Sequence, residues 1–381
     1  MVDKNMCTGC TACKAVCKSD AITMRTDNQG FKYPVIDSEK CIACGLCDKV
    51  CPVAKAPTGN KEQSVYCGYS KDKDTVLTGS SGGLSYVFAN YILSSGGFVC
   101  GCTMSDDCYK AKHIIVKSKN ELYKLKGSKY IQSDLGDVFL CIKDYLNNGV
   151  KVLFFGTPCQ VAGLREYLKL SRVSDENLFL IDFICHGVPS PLVWKSYLES
   201  VEAKYNSKAV KVQFRDKSIG WKRYSLAIEF ADGKNFCSPV DENLYLKGFI
   251  SDLYLRLSCY NCKFKDGNYY SDMTLGDFWG VEKFGLDIYN ETGVSIGIIH
   301  TPKGKELFSL INQEIVCSQI DLSTATGSNP SYYSAVSYNH NRDKFFEQFG
   351  ENPTAKTLNK FCKTKIKTKL KQKMKIILGR K

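Results

Sequence analysis

Apolar runs that alternate with helical patterns make up the chain from about residue 64 onward. Short runs rich in β-branched and aromatic residues, bounded by glycine or polar residues, indicate buried strands. Such runs are SVYCGYS, GFVCGC, AKHIIVKS, KVLFFGT, NLFLIDFIC, AVKVQFRD, RYSLAIEF and VSIGIIHT. Between them, segments such as GGLSYVFANYILSS repeat their apolar positions with the spacing of a helix. Strands and helices in alternation predict α/β layers around a largely buried mixed sheet.

The arrangement of two predicted strands indicates that Cys159 and Cys185, in the loops after them, lie close together. KVLFFGT and NLFLIDFI are separated by the helical segment VAGLREYLKL, so a right-handed crossover makes the two strands parallel. The loops that follow them are Gly156-Thr157-Pro158-Cys159-Gln160 and Cys185-His186-Gly187-Val188-Pro189-Ser190. The carboxyl ends of parallel strands share the sheet edge at which ligands bind in such folds. We therefore expect the two loop cysteines to lie close together.

The first 58 residues follow a different pattern, with a cysteine at every third position. CTGCTACKAVC places Cys7, Cys10, Cys13 and Cys17 in C-x2-C-x2-C-x3-C spacing, and CIACGLCDKVCP repeats it with Cys41, Cys44, Cys47 and Cys51. In such runs three thiolates hold one [4Fe-4S] cluster and the fourth ligates the other cluster. The spacing predicts one cluster on Cys7, Cys10, Cys13 and Cys51, and a second on Cys41, Cys44, Cys47 and Cys17.

The segment between the two cysteine runs, AITMRTDNQGFKYPVID, predicts a short β-hairpin with its turn at DNQG. Together with the repeated cysteine run, it resembles the internal repeat of a two-cluster bacterial ferredoxin. Structural zinc is the alternative for CxxC pairs, and two identical four-cysteine runs disfavour it.

The composition indicates a globular protein, with 44% hydrophobic and 12% aromatic residues. No run of eighteen or more apolar residues occurs, which excludes an ordinary transmembrane helix. No signal-peptide core follows Met1, so we expect a cytoplasmic protein. Twenty cysteines at regular spacing, without an export signal, favour metal ligation in a reducing compartment over disulfides.

The net charge of +13 is concentrated at the C-terminus. Eleven lysines and arginines and no acidic residue lie from Asn352 onward, which leaves a net charge of only +2 elsewhere. A nucleic-acid-binding surface is therefore not expected. Cys362, Ile366, Leu370, Met374 and Ile377 recur at helical spacing among the lysines, which predicts a basic amphipathic segment over 352–381. Such a segment suits peripheral contact with the inner face of a membrane or an acidic partner, and a solvated tail is the alternative.

A glycine-rich segment, LTGSSGGLSYVFANYIL, suggests a cofactor site. It places small and hydroxyl residues at the start of a helix, where backbone N–H groups and the helix dipole favour an anion. The candidate residues are Thr78, Gly79, Ser80, Ser81, Gly82 and Gly83. An N-cap with flexible glycines is the alternative. Neither GxGxxG nor a Walker motif occurs, so NAD-type Rossmann and P-loop folds are not supported.

A further CxxC, Cys259 and Cys262, lies in LRLSCYNCKFKDGNYYSDMTLGDFWG. With Cys159 and Cys185 it completes four thiolates, enough for a third [4Fe-4S] cluster. Two alternatives stay open for Cys159. It could be a catalytic thiolate beside His186, or a buried packing residue.

The motifs GSSGG, GTPCQ, CHGVPS and CxxC…GDFWG occur in this order. From about Ser64 to about Asn329 the chain thereby resembles the family of coenzyme F420 hydrogenase/dehydrogenase beta subunits. The resemblance implies FAD near Gly79 to Gly83 and an internal [4Fe-4S] cluster on Cys159, Cys185, Cys259 and Cys262. It also makes Lys126, Ser128, Lys129 and Tyr130 of KGSKY, with Gly156 and Thr157, candidates for the flavin environment. Coenzyme F420 itself is not implied.

The sequence thus predicts an α+β protein. A two-cluster ferredoxin domain (1–58) precedes a larger α/β domain with a mixed sheet (64–330) and a basic tail (352–381). The expected function is a ferredoxin-linked iron–sulfur flavin oxidoreductase that passes electrons between clusters, FAD and a small molecule, served by ferredoxin or another redox protein. His186 and Asp277 are candidates for acid–base catalysis. The alternatives are an electron-transfer protein without its own substrate and a non-catalytic iron–sulfur sensor.

Overall fold

The structure is a computed structural model that describes residues 1–55, 64–285, 287–351 and 354–362. Within these ranges a cysteine-rich module precedes a larger domain built on an eight-stranded mixed sheet and a separate three-stranded sheet. The expected α+β class, with a ferredoxin-type module before a mixed-sheet domain, is confirmed.

The strands are numbered along the chain. They are β1 (Ile22–Thr26), β2 (Lys32–Ile36), β3 (Ser64–Ser70), β4 (Phe98–Met104), β5 (Ala111–Val116), β6 (Val152–Phe155), β7 (Leu178–Phe183), β8 (Ala209–Asp216), β9 (Ser225–Phe230), β10 (Asn235–Pro239), β11 (Met273–Asp277), β12 (Ser295–Ile299) and β13 (Ile315–Ile320).

The helices are α1 (Ala12–Val16), α2 (Leu46–Lys49), α3 (Lys73–Thr78), α4 (Leu84–Ser94), α5 (Val138–Asn147), α6 (Pro158–Leu170), α7 (Pro191–Tyr205), α8 (Leu244–Ile250), α9 (Pro302–Ser309), α10 (Leu322–Thr326), α11 (Pro330–Tyr333), α12 (Arg342–Glu351) and α13 (Ala355–Cys362). Short 3-10 helices cover Lys119–Leu125, Leu257–Asn261, Val281–Phe284 and Asn312–Glu314.

The predicted hairpin of the N-terminal module is confirmed as the antiparallel pair β1–β2, in register from Ile22 opposite Ile36 to Thr26 opposite Lys32. Its turn forms because Asp27 Oδ1 accepts hydrogen bonds from the backbone of Gln29 at 3.0 Å and of Phe31 at 2.9 Å. The turn packs on the larger domain, where Phe31 is fully buried in a core cluster that includes Trp194. Burial of one such aromatic side chain contributes about 2–3 kcal/mol, so the module and the domain share a core.

The large sheet has the strand order β13-β3-β12-β11-β7-β6-β4-β5. Its central strands β4, β6, β7 and β11 are parallel to their neighbours within that set, as the crossover argument predicts for β6 and β7. Leu153, Phe154 and Leu180 on these strands are fully buried, which explains their continuous apolar sequences. The loops after β6 and β7 consequently emerge at the same sheet edge.

Strands β8, β9 and β10 form a separate antiparallel sheet rather than extending the large one. Phe214 and Leu226 of this sheet pack in the same core cluster as Tyr245 of α8. Phe345 and Phe349 of α12 join that cluster, so the packed body continues beyond residue 330. The predicted tail begins within it, because Leu358 and Cys362 of α13 are buried there. Residues 363–381 of that prediction lie outside the described residues.

Within the described ranges, every helix is too short or too polar to span a bilayer.

Candidate functional site

The first predicted cysteine set surrounds a single cavity in the N-terminal module. Cys7, Cys10, Cys13 and Cys51 all line it, together with Cys47. Burial raises the pKa of Cys13 to about 12, and the neighbouring charges of Cys7 and Cys51 add to the effect. Cys51, the fourth cysteine of the second run, therefore shares this cavity with the first three cysteines of the first run, and the crossed ligation of one cluster stays a prediction.

The two cysteine runs share an unusual backbone. In each, the second cysteine lies between two residues with left-handed conformations. These are Gly9 (φ 71°) and Thr11 (φ 63°) in the first run, and Ala43 (φ 52°) and Gly45 (φ 68°) in the second. Such conformations cost energy for residues with a side chain and cluster where a loop clamps a ligand. The internal repeat is therefore present in the backbone as well as in the cysteine spacing.

The second predicted set is less tightly gathered. Cys41 and Cys44 are exposed, while Cys47 lines the cavity of the first set. Cys17 Sγ lies 3.6 Å from Ser19 Oγ. The assignment of Cys17, Cys41, Cys44 and Cys47 to one cluster stays a prediction.

Four cysteines from three separate segments meet at the sheet edge where β6 and β7 end. Burial raises the pKa of the Cys185 thiol well above its usual range, and the charges of Cys259, Cys159 and Cys262 all act on it. Burial likewise raises the pKa of Cys159 to about 11 and of Cys259 to about 12. The neighbouring charge of Cys262 adds to the rise at both thiols. The four cysteines that the sequence predicts for a third cluster therefore lie near one another, and their sharing of a cluster stays a prediction.

Polar groups contact two of these sulfurs. The backbone N–H of Val188 donates to Cys259 Sγ at 3.4 Å, and Thr157 Oγ1 lies 3.2 Å from Cys159 Sγ. Among the described residues, no three His, Cys, Asp or Glu side chains converge closely enough to hold a single metal ion. A [4Fe-4S] cluster makes a different demand, because it spreads four thiolates over a multi-iron core.

Two of the predicted cofactor segments touch each other. The glycine loop joins the end of α3 to the start of α4, and Ser80 Oγ in it accepts a hydrogen bond from the Ser128 backbone at 2.7 Å. The Ser128 hydroxyl lies 2.8 Å from the same oxygen. Lys126 Nζ donates to Thr78 Oγ1 at 3.1 Å. The segments 78–83 and 126–130 therefore lie against each other.

Part of the glycine loop is committed to packing. A Cβ on Gly82 would lie 2.5 Å from the backbone oxygen of Gly68, and the Gly82 N–H already donates to Ser295 Oγ at 2.8 Å. Ser81 Oγ donates to the backbone of Val294 at 2.9 Å. Gly83 adopts φ 82° immediately before α4, and Gly79 caps the end of α3. The loop's glycines thus let it dock on β3 and β12, and anion binding by this loop stays a prediction.

The sequence analysis missed two basic residues near the end of β8, of which Lys217 contacts this loop. Lys217 Nζ donates to the backbone oxygens of Val76 and Ser81, both at 2.7 Å, and burial lowers the pKa of Lys217 to about 7. Arg215 pairs with Asp277 at 2.6 Å, yet its Nε and one terminal nitrogen are buried with no hydrogen-bond partner in the described residues. Arg215 lies near the end of β8 and Lys217 follows that strand, and no sequence motif marks either residue.

The remaining candidates from the sequence have mostly local partners. Lys129 Nζ donates to the backbone oxygens of Leu125 at 3.0 Å and Lys126 at 2.8 Å. The Tyr130 ring lies on Phe249, with centroids 4.8 Å apart. Gly156 continues the β6–β7 pairing through its N–H, and Thr157 caps α6. Thr157 therefore lies at the third cysteine set, and its role near a flavin stays a prediction.

The two residues predicted for acid–base catalysis are both engaged. His186 follows Cys185 in the sequence, and its Nε2 lies 2.6 Å from Asp252 Oδ1. Asp277 pairs with Arg215 through Oδ2 and accepts a hydrogen bond from Trp221 Nε1 at 3.0 Å through Oδ1. Asp277 is thus the counter-ion of Arg215. Catalysis by either residue stays a prediction.

The fold and the cysteine sets define an iron–sulfur electron-transfer protein with an N-terminal two-cluster module. Residues 6–55 match the 4Fe-4S dicluster domain family. Residues 65–139 match the N-terminal model of the coenzyme F420 hydrogenase/dehydrogenase beta subunit, and residues 149–323 match its C-terminal model. The chain belongs to the family of coenzyme F420 hydrogenase/dehydrogenase beta subunits, as the sequence motifs predict.

Curated relatives of known name match parts of the chain. It is 29% identical over 168 residues to the coenzyme F420-dependent sulfite reductase of Methanocaldococcus jannaschii, a match that covers 44% of this chain but only 26% of that enzyme. It is 22% identical to a subunit of the F(420)H(2) dehydrogenase of Methanosarcina mazei, over 69% of this chain and 72% of that relative. Among solved structures, the F420-reducing [NiFe] hydrogenase complex from Methanosarcina barkeri aligns with a TM-score of 0.48 and 18% identity, over 69% of this chain and 84% of that one.

Proposed function

We propose that this chain is an iron–sulfur flavoprotein that carries electrons between three [4Fe-4S] clusters, FAD and a small-molecule acceptor. The observation that carries the proposal is the meeting of Cys159, Cys185, Cys259 and Cys262 at the sheet edge beside the N-terminal module. A packing role explains one buried cysteine but gives no reason for four, from three segments, to converge. Cys159 lies near enough to Cys10 for their charges to interact, which supports electron transfer from the ferredoxin-type module into the larger domain.

The residues around the glycine loop suit a flavin nucleotide. Arg215 offers buried N–H groups that lack hydrogen-bond partners among the described residues, and Lys217, Lys126, Ser80 and Ser128 supply polar groups at the glycine loop. A diphosphate would satisfy such donors, because charge-assisted hydrogen bonds to phosphate suit buried basic groups. When bound, the flavin would convert the single electrons of clusters into the two-electron chemistry of a substrate. The protein's part is to hold the anionic portion and exclude water around Arg215.

The relatives suggest the first acceptor to test. Two relatives from Methanocaldococcus jannaschii are named as F420-dependent enzymes. They are the sulfite reductase and the beta subunit of the formate dehydrogenase. We propose a soluble two-electron carrier of this type as donor or acceptor for the flavin. The chain matches only part of each of these proteins, covering 26% and 42% of their lengths.

A second candidate is an electron-transfer subunit that delivers electrons to a partner protein and has no substrate of its own. Two relatives are themselves subunits by name, one of the F(420)H(2) dehydrogenase and one of the F420-dependent formate dehydrogenase. The exposure of Cys41 and Cys44 supports this candidate, since a cluster held there would be within reach of a docked redox protein.

Flavin content and acceptor reduction separate these candidates. The full chain would be purified without oxygen, its flavin released with acid and identified by chromatography. The dithionite-reduced protein would then be mixed with coenzyme F420 or with an oxidised ferredoxin. About one FAD per chain and direct reduction of F420 support the enzyme. Flavin with electron transfer only to ferredoxin supports the carrier, and a chain that binds no flavin overturns the flavoprotein proposal.

A further inference from the structure

Arg256 is a fully buried arginine that contacts the first cysteine set. Its relative exposure is 0%, and its Nε donates to the backbone oxygen of Cys7 at 2.7 Å. One terminal nitrogen donates to Gln132 Oε1 at 2.9 Å, and the other lies 3.7 Å from Cys7 Sγ and 3.0 Å from the backbone oxygen of Lys32. The guanidinium lies over the ring of Tyr33, 4.1 Å from its centroid. These contacts hold the cation against Cys7, at the wall of the cavity that the first cysteine set lines.

The same residue belongs to the segment that carries the third cysteine set. Its backbone oxygen accepts a hydrogen bond from the N–H of Cys259 at 2.9 Å, at the start of the 3-10 helix Leu257–Asn261. The N–H of Arg256 in turn donates to the backbone oxygen of Val188 at 3.0 Å, and the N–H of Val188 donates to Cys259 Sγ at 3.4 Å. Arg256 therefore lies between two sets of four cysteines.

No carboxylate within ion-pair distance balances this charge among the described residues. The other buried arginines differ, because Arg215 pairs with Asp277 at 2.6 Å and Arg342 lies 3.8 Å from Asp343. A buried and unpaired cation is costly unless its surroundings supply negative charge. Four thiolates around a [4Fe-4S] core give a site with net negative charge, and two such sites would flank Arg256.

We propose that Arg256 is a positioning residue that couples the cluster on Cys7, Cys10, Cys13 and Cys51 to the cluster on Cys159, Cys185, Cys259 and Cys262, and that its charge raises the reduction potentials of both. The inference rests on the proposed function, since it requires both clusters. Reduction of either cluster adds one electron and no proton, and forms or breaks no bond. The added negative charge is stabilised by the fixed cation, whose donors also reach a ligating sulfur, and both effects favour the reduced form.

The test is an EPR-monitored redox titration of the full chain, purified without oxygen, with Arg256→Gln and Arg256→Lys variants. In Arg256→Gln we expect two clusters to become harder to reduce, by about tenfold in the equilibrium constant, which is about 59 mV for one electron. The exposed cluster assigned to Cys41, Cys44, Cys47 and Cys17 should keep its potential. Arg256→Lys retains the charge and should restore most of the shift. Arg342→Gln is the matched control, because Arg342 is equally buried and donates to the backbone of Leu255 rather than to a cysteine.

An Arg256→Gln variant that binds the wild-type amount of iron and keeps the wild-type reduction potential of every cluster overturns the inference. A wild-type protein with only about eight irons overturns the proposed third cluster instead, so the two failures are distinguishable. If Arg256→Gln does not fold, the wild type itself answers the question. Protein labelled with ¹⁵N in the arginine guanidinium should show ¹⁵N hyperfine coupling to the reduced clusters in pulsed EPR, and no such coupling contradicts the proposal.

Discussion

The thiol of Cys10 lies directly against Gly163 in the middle of α6. A methyl group on Gly163 would come within 2.9 Å of Cys10 Sγ and 2.8 Å of its Cβ. Gly163 is one helical turn from Cys159, so the same face of α6 that meets the first cysteine set leads to the third. The ferredoxin-type module and the larger domain are thereby joined at the point where electrons would pass between them.

Gly163→Ala should disturb the first cluster. The added methyl group cannot fit without moving Cys10, and overpacking of this kind costs about 1–3 kcal/mol. We expect a lower melting temperature and a reduced iron content in the anaerobically purified protein. Gly297→Ala is the control, because the nearest atoms to a methyl group there are 3.7 Å away. Equal iron content in the two variants would show that Cys10 has room to move.

Cys159→Ala decides what the cysteine after Pro158 does. If Cys159 ligates a third cluster, the variant should lose about four irons per chain and one EPR signal of the reduced protein. If it only packs, the iron content stays at the wild-type level and the loss is limited to stability. Cys141→Ala serves as the control, since Cys141 is an exposed cysteine on α5.

Arg215→Gln should weaken flavin retention. The variant removes the buried N–H groups that have no partner among the described residues, and a charged hydrogen bond of about 1.5–3 kcal/mol corresponds to roughly 10- to 100-fold in affinity. Flavin per chain after gel filtration measures the effect. Arg223→Gln is the comparison, because Arg223 is exposed and pairs with Asp241 and Glu242 at the surface. Full flavin content in Arg215→Gln would place the cofactor elsewhere.

The buried histidine His113 predicts a loss of stability in mild acid. Burial lowers its pKa to about 4, while the unfolded chain takes up the proton near its ordinary value of 6.5. Because only the unfolded state is protonated between these values, this contribution is complete above pH 6.5 and is lost as the pH falls toward 4. At pH 5.5 the loss is about 1 kcal/mol.

Thermal unfolding of wild type and His113→Gln between about pH 7.5 and 5 checks this prediction. Glutamine can keep the hydrogen bond that His113 Nε2 makes with the backbone oxygen of Phe155 at 3.0 Å, but it does not titrate. The variant should therefore lose less stability than the wild type over this range. If the melting temperatures of the two proteins fall in parallel with pH, His113 has the same protonation in the folded and the unfolded state.

Much of the fold could be predicted from short-range sequence patterns. The hairpin at DNQG, the parallel strands β6 and β7 and the helix after Gly83 all follow from local periodicity and turn residues. The meeting of Cys159 and Cys185 follows from topology, because parallel strands place their following loops at one edge. These features depend on neighbours in sequence or on a single crossover.

The features that could not be predicted from the sequence depend on contacts between residues far apart in the chain. Arg256 meets Cys7 across 249 positions, and Lys217 meets Val76 across 141, so neither arises from a local motif. The separate sheet of β8, β9 and β10 has the same apolar pattern as the strands of the main sheet, since that pattern reports burial but not the partner. The helix α12 contributes Phe345 and Phe349 to a core that the sequence pattern ended near residue 330.

The central claim is that this chain carries a third cluster in addition to the two of its ferredoxin-type module. Iron and acid-labile sulfide per chain, determined on the wild-type protein purified without oxygen, test it most directly. We predict about twelve of each, for three [4Fe-4S] clusters. About eight of each would contradict the account and leave Cys159, Cys185, Cys259 and Cys262 without a shared cluster.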